Sequence, residues 1–157
     1  MAPESMIHAH SQPDRGGMTR DEISALFERR QRAYDALDAK ALADDYASDA
    51  TVESPMGGTH QGRETIETVF QAFFDAFVDM NVTTARLVID GQTVVQILDV
   101  EGTHAGEFLG LEPTGKPFRF TAAVVYDVED GRIARERRIY DFTGFLIQIG
   151  VLRAKPV

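Results

Sequence analysis

From Phe118 to Asp141 the chain reads FRFTAAVVYDVEDGRIARERRIYD. Apolar and polar residues alternate on both sides of one turn signal. That pattern predicts a strand over Phe118–Val128, a tight hairpin turn at Asp130-Gly131, and a second strand over Arg132–Asp141. The same signals recur upstream. Val82–Asp90 reads as a strand, Gly91 as a turn, and Thr93–His104 as a longer strand. A loop with Pro113, Gly115 and Pro117 separates that pair from the next. The second half of the chain is therefore a four-stranded meander.

The first half is mainly helical. Thr19 and Glu22 form a capping box, in which each side chain can satisfy the other's free backbone N–H. Ile23, Leu26, Phe27, Tyr34 and Leu37 follow on one helical face. A shorter helix is expected from about Asp38, carrying Leu42 and Tyr46. Ala50–Glu53 reads as a short strand, ended by Pro55 and Gly57-Gly58. The next helix is the clearest, because Ile66, Val69, Phe70, Phe73, Phe74 and Phe77 repeat at three- and four-residue spacing. Phe145, Leu146, Ile149 and Leu152 repeat helically near the end. The implied fold class is α+β: three helices packed on one face of a strongly curved antiparallel sheet, with an apolar pocket between the layers.

The 157 residues suit one domain, expected over 18–157. Residues 1–17 hold Pro3, Pro13, Gly16 and Gly17 and no signal-peptide apolar core. They are expected to be a disordered tail on a cytoplasmic protein. The net charge of −9 argues against nucleic acid and anionic membranes as partners. There are no cysteines, which excludes disulfides, thiolate nucleophiles and cysteine metal sites. His8 and His10 lie in the tail, and His60 and His104 have no spacing that would join them, so no metal is expected. His60 is read as part of a solvent-facing loop. No dinucleotide fingerprint or phosphate cradle is present, so no cofactor is expected. Ser54 lacks the context of a nucleophile elbow.

Two stretches carry a family resemblance. One is Gly102-Thr103-His104-Ala105-Gly106-Glu107-Phe108-Leu109-Gly110, followed by Pro113-Thr114-Gly115-Lys116. The other joins Asp130-Gly131-Arg132-Ile133 to Asp141-Phe142-Thr143-Gly144 and Gln148-Ile149-Gly150. They resemble the SnoaL-like polyketide and ester cyclases of the nuclear transport factor two-like superfamily, over about Thr19–Leu152. Asp49–Gly57 resembles ketosteroid isomerase, a distant relative of the same shape. The resemblance implies a cone-shaped α+β barrel and acid–base chemistry on an apolar oxygenated small molecule, polyketide-like, in secondary metabolism. It also marks departures. Ser54 stands where the isomerase has its general-base aspartate. Arg138 stands where the cyclases have a catalytic aspartate, and Val124 where they have its partner histidine. Either a different acid does the work, or the chain is not an enzyme.

The candidates follow from both readings. His104 could transfer a proton near neutrality, or could brace the loop that follows it. Glu136, Arg138 and Tyr140 share one strand face, which the position of Arg138 turns toward the pocket. Glu136 there is a usable acid or base, or only the partner of Arg138. Asp141 is either catalytic through a β-bulge or a helix cap. Tyr34 and Tyr46 could donate to an oxyanion. Ser54, Phe70, Phe74, Phe118, Phe120, Val124 and Tyr140 complete the expected substrate lining. Three functions follow: a cofactor-independent cyclase or isomerase; an epoxide-opening enzyme using Glu136, Arg138 and a second carboxylate from Asp99, Glu101 or Asp141; or a ligand-binding, dimerising module. Arg135, Arg137 and Ile139, on the opposite face, would meet a second subunit in a homodimer formed through the sheet.

Overall fold

The computed structural model describes residues 16–155. Positions 1–15 of the expected tail lie outside them. The chain runs α1 (Arg20–Asp35), α2 (Ala39–Ala43), β1 (Tyr46–Ser54), β2 (Gly58–Gln61), α3 (Arg63–Ala76), β3 (Asn81–Asp90), β4 (Thr93–Thr103), β5 (Pro117–Glu129), β6 (Arg132–Ile139) and α4 (Phe142–Gln148). The mixed α+β class and the four-strand meander are those expected from the sequence.

Helix α1 starts where its capping box places it. Thr19 Oγ1 accepts from Glu22 N at 3.2 Å, and Glu22 Oε2 accepts from Thr19 N at 2.7 Å. Its buried stripe is Ile23, Leu26, Phe27, Ala33 and Tyr34, with one charged member, Arg30. Leu37, at a positive φ of 50°, ends the turn. Asp38 then caps α2 by accepting from Ala41 N at 2.9 Å.

Helix α2 is only five residues long, and Tyr46 is not in it. Tyr46 opens β1 instead, paired with Ile133. Short-range periodicity could not show this, because the partner strand lies almost ninety residues on. β1 also turns back at Gly57 and Gly58, both at positive φ, to form the short strand β2. His60 is therefore a strand residue opposite Val52, half-buried, with Nε2 3.3 Å from Met56 O.

The six strands lie in the order β2-β1-β6-β5-β4-β3. Every pair is antiparallel except β1 with β6. The sheet is open, with β2 and β3 at its edges. Three ladders carry register shifts, at Tyr46/Thr51, Thr84/Arg86 and Asp127/Val128. Such irregularities bend and twist a strand, and so curl the sheet.

The shift in β6 decides the site. Asp127 pairs with Arg135 and the next residue, Val128, pairs with Ile133, so Ala134 is an extra residue. Strict alternation would put Ile133 and Glu136 on opposite faces. The bulge puts both inside, and both are buried.

The core lies between the helices and the inner face of the sheet. One end is an aromatic cluster around Phe77, fully buried, whose ring centroid lies 4.9 Å from Phe73, 4.9 Å from Phe118, 5.0 Å from Phe108 and 5.6 Å from Phe145. Most of these contacts are edge-to-face, the preferred arrangement for aromatic quadrupoles. Phe145 comes from α4, which this cluster pins over the end of the sheet.

Candidate active site

A cavity of about 70 Å3 opens at the other end of the core, between α1, α3 and the sheet. Phe70, Phe73 and Phe74 from α3 form one wall. Leu98, Val100, Phe120, Ala122 and Val124 from β4 and β5 form another. Against this apolar surface stand four polar side chains: Tyr34, Glu136, Arg138 and Tyr140.

Glu136 is 3% exposed and is the one carboxylate among the described residues that lines the cavity. Both of its oxygens are engaged. Arg138 Nε donates to Oε1 at 2.5 Å, and the Tyr46 hydroxyl donates to Oε2. Arg138 also lies over the Phe70 ring, its guanidinium carbon 5.0 Å from the centroid.

Behind Tyr46 sits Arg30, with no exposed surface. Its Nη2 donates to the Tyr46 hydroxyl at 3.0 Å, and Nη1 donates to Leu42 O at 3.0 Å and reaches Asp45 Oδ2 at 3.5 Å. Arginine cannot accept, so the Tyr46 oxygen takes its hydrogen bond from Arg30 and its O–H must point at Glu136. Asp45 is joined to the surface by Arg29 at 2.6 Å. Arg29 and Arg30 thus meet the buried Asp45, and the half-buried Arg138 meets the buried Glu136. Unbalanced, either carboxylate would carry a large desolvation cost.

The tyrosines are held as donors. Burial pushes the Tyr46 hydroxyl well above its ordinary value, and the Glu136 charge adds to this against the opposing pull of Arg30. Tyr34 is raised by burial first, with Glu136 adding and Arg30 opposing. Tyr140 is raised by burial, partly offset by the nearby Ser54 hydroxyl and by Arg138. Burial pulls the Arg138 guanidinium down, but Glu136 and the tyrosines outweigh it and hold the group charged.

The other expected residues fall as follows. Tyr34, Phe70, Phe74, Phe120, Val124 and Tyr140 line the cavity. Tyr46 lies one hydrogen bond behind Glu136. Ser54 is buried beside a neighbouring groove, its Oγ accepting from Met56 N at 3.2 Å. Phe118 packs into the Phe77 cluster instead.

His104 is also away from the cavity, fully buried among Phe77 and Phe108. Its Nδ1 accepts from Thr114 N at 3.3 Å and lies 3.1 Å from Thr114 Oγ1, so it braces the 105–116 loop. Its Nε2 has no partner among the described residues. Asp141 caps α4, with Oδ1 accepting from Gly144 N at 2.8 Å.

Sequence reasoning missed Arg30 and Asp45. Arg30 did leave a signal, since it falls three and four residues after Phe27 and Leu26 on the apolar stripe of α1. Among the described residues no three His, Asp or Glu side chains come together as a metal site, and no helix is long and apolar enough to cross a membrane.

The α+β fold is similar to those of solved proteins of the ketosteroid isomerase-like and nuclear transport factor two-like kind, a likeness of fold alone. The sequence model of the SnoaL-like polyketide cyclases matches residues 25–149, and the chain belongs to that family. IdmH from Streptomyces antibioticus, a candidate polyketide cyclase, is 32% identical, with a TM-score of 0.64 over 83% of this chain and 96% of that one. TsrD from Streptomyces laurentii is 23% identical, with a TM-score of 0.76 over 86% of this chain and 99% of that one. An epoxide hydrolase of the LEH-like type from M. tuberculosis is 17% identical, with a TM-score of 0.65 over 82% of this chain and 90% of that one. The last two show likeness of fold alone. No curated protein matches the chain.

Proposed function

We propose that the protein is a cofactor-independent cyclase or isomerase for an apolar oxygenated small molecule, with Glu136 as the group that moves the proton. The observation that carries this is a single buried carboxylate facing an apolar cavity between a fixed guanidinium and a fixed phenol. Glu136 takes a proton from the carbon beside a substrate carbonyl. The enolate oxygen is met by the Arg138 guanidinium and the Tyr34 hydroxyl. In a cyclase the enolate carbon then attacks a second carbonyl of the same molecule, and Glu136 returns its proton to the new alkoxide. In an isomerase the proton returns to another carbon. The proton never leaves the cavity, so the net charge of the interior is unchanged throughout. The enclosing walls contribute by holding the reacting carbons in contact.

Epoxide opening by a carboxylate pair has less support. Asp99 is exposed and bonded to Thr121, Glu101 is half-buried and paired with Arg119, and Asp141 caps α4. None of the three lines the cavity.

The test is proton exchange. Aromatic and aliphatic β-diketones are incubated with the protein in deuterated water, and deuterium uptake is followed by NMR. Wild type is expected to speed exchange of at least one of them, and Glu136→Gln to lower that rate by about 100-fold or more. Equal rates for the two proteins, or no exchange above background for either, would overturn the reading.

A further inference from the structure

The cavity is small for the substrate class proposed above. Pockets that enclose drug-sized ligands run to roughly 300–1,000 Å3, against about 70 Å3 here. A polyketide-sized molecule therefore cannot lie wholly inside, and part of it must extend outward. The structure provides one route. A groove of about 410 Å3 adjoins the cavity, lined by Glu53, Ser54, Pro55, Gly58, Thr59 and residues Arg137 to Tyr140.

The groove exists because two strands part company. β1 and β6 pair in parallel as far as Glu53 and Arg137. Beyond that point β1 turns away at Ser54-Pro55 into β2, while β6 runs on to Ile139, opposite Ala123 of β5. The last residues of β6 are left as the floor of an open cleft. Arg138 and Tyr140 line both the cleft and the cavity.

Arg138 is the informative residue. Its Nε is committed to Glu136. Neither terminal nitrogen has a hydrogen-bond partner among the described residues, and the side chain is 17% exposed. Arg137 beside it is 70% exposed and reaches Glu53 only at 3.8 Å. Glu136 answers the charge of Arg138 and Glu53 stands near Arg137, so the groove is close to neutral on a chain whose total is −9, and what it offers is free guanidinium N–H donors. Such donors suit an oxyanion.

We infer that this groove is the outer half of the substrate site and takes a carboxylate borne on an apolar body, bound by Arg137 and by those terminal N–H groups of Arg138 that the enolate does not use. The inference rests on the cavity being the reaction chamber, and it names the substrate class as amphipathic acids rather than neutral ketones. The apolar part reaches past Tyr140 toward Glu136 while the charge stays outside, away from the carboxylate that must collect a proton.

Binding at equilibrium tests this without turnover. Affinities of 2-naphthoate and of the uncharged 2-naphthamide are measured by calorimetry on the full-length protein, at low and at high salt. Wild type is expected to favour the acid by about tenfold or more at low salt, and less as salt rises. Arg137→Gln, on an exposed side chain, should reduce the preference, and Arg138→Gln should abolish it. Glu136→Gln should keep it, whether or not that variant exchanges protons. Exchange as fast in Glu136→Gln as in wild type, with the preference intact, would thus count against the proposed reaction alone. Equal affinities in wild type, no saturable binding of naphthoate at millimolar concentration, or a preference untouched in both arginine variants would overturn the inference.

Discussion

At the scale of single residues, the site depends on one buried arginine that touches no substrate. Arg30 fixes which way the Tyr46 hydroxyl points, and so what Glu136 receives. It also balances the buried Asp45. Arg30→Met should therefore leave Asp45 to Arg29 alone, strip Leu42 O of its buried donor and free the Tyr46 hydroxyl. The expected cost is about 3 kcal/mol, the low end for removing one partner from a buried ion pair. Urea unfolding measures it, and a loss under about 1 kcal/mol would mean that the network holds itself together without Arg30. Residue types were the least legible part of the sequence. Glu136 and Arg138 could be named because they follow each other on a strand. Tyr46, the partner of Glu136, lies 90 residues away along the chain, and Arg30, which holds Tyr46, lies further still; only the fold brings them together. His104 had the right chemistry but the wrong neighbours, since the phenylalanines around it belong to the core.

At the scale of elements, regular patterns were readable and exceptions were not. The capping box of α1, the phenylalanine stripe of α3 and the hairpin at Asp130-Gly131 all appear where spacing places them. The parallel pairing of β1 with β6 and the extra residue at Ala134 leave no local trace, because each is fixed by a partner strand. Two stability changes belong at this scale. Thr19→Ala removes one half of the capping box and should cost about 1 kcal/mol. Phe77→Ala empties the centre of the aromatic cluster that holds α3, the sheet and α4 together, and should cost about 3–5 kcal/mol. Chemical denaturation checks both. If Phe77→Ala proved the milder change, the cluster would not be the anchor described for α4.

At the scale of the whole molecule, all four tyrosines of the chain are buried or half-buried, and all have raised pKa values. In the unfolded chain they ionise near pH 10. Above that pH the folded state holds protons that the unfolded state has lost, so stability falls as pH rises. The stabilisation is complete below about pH 10 and is lost toward the raised folded values. The urea midpoint should drop between about pH 9 and about pH 11, and an unchanged midpoint would mean that the phenols are open to solvent.

The outer face of the sheet suggests assembly. Val88, Val95 and Val125 line up across three strands, next to a row of Ile97, Ala123 and Ile139. Asp90 and Asp127 border this patch, with Arg86 and Arg135 also on the face, so both signs of charge are present. A two-fold axis can pair such a surface with itself, and we propose a homodimer through this face. Light scattering should give twice 17.4 kDa, and Val125→Asp should halve it. A wild-type protein that is monomeric at micromolar concentration would contradict the proposal.

The central claim is that Glu136 and Arg138 face the reacting part of the substrate. A crystal structure with 2-naphthol, whose ring and oxygen mimic a planar enolate, tests it most directly. The claim predicts the ring between Phe70 and Phe120, with its oxygen about 2.6–3.2 Å from Arg138 or Glu136. A naphthol bound elsewhere with the cavity empty, or Glu136 turned away from the ligand that fills it, would contradict the claim.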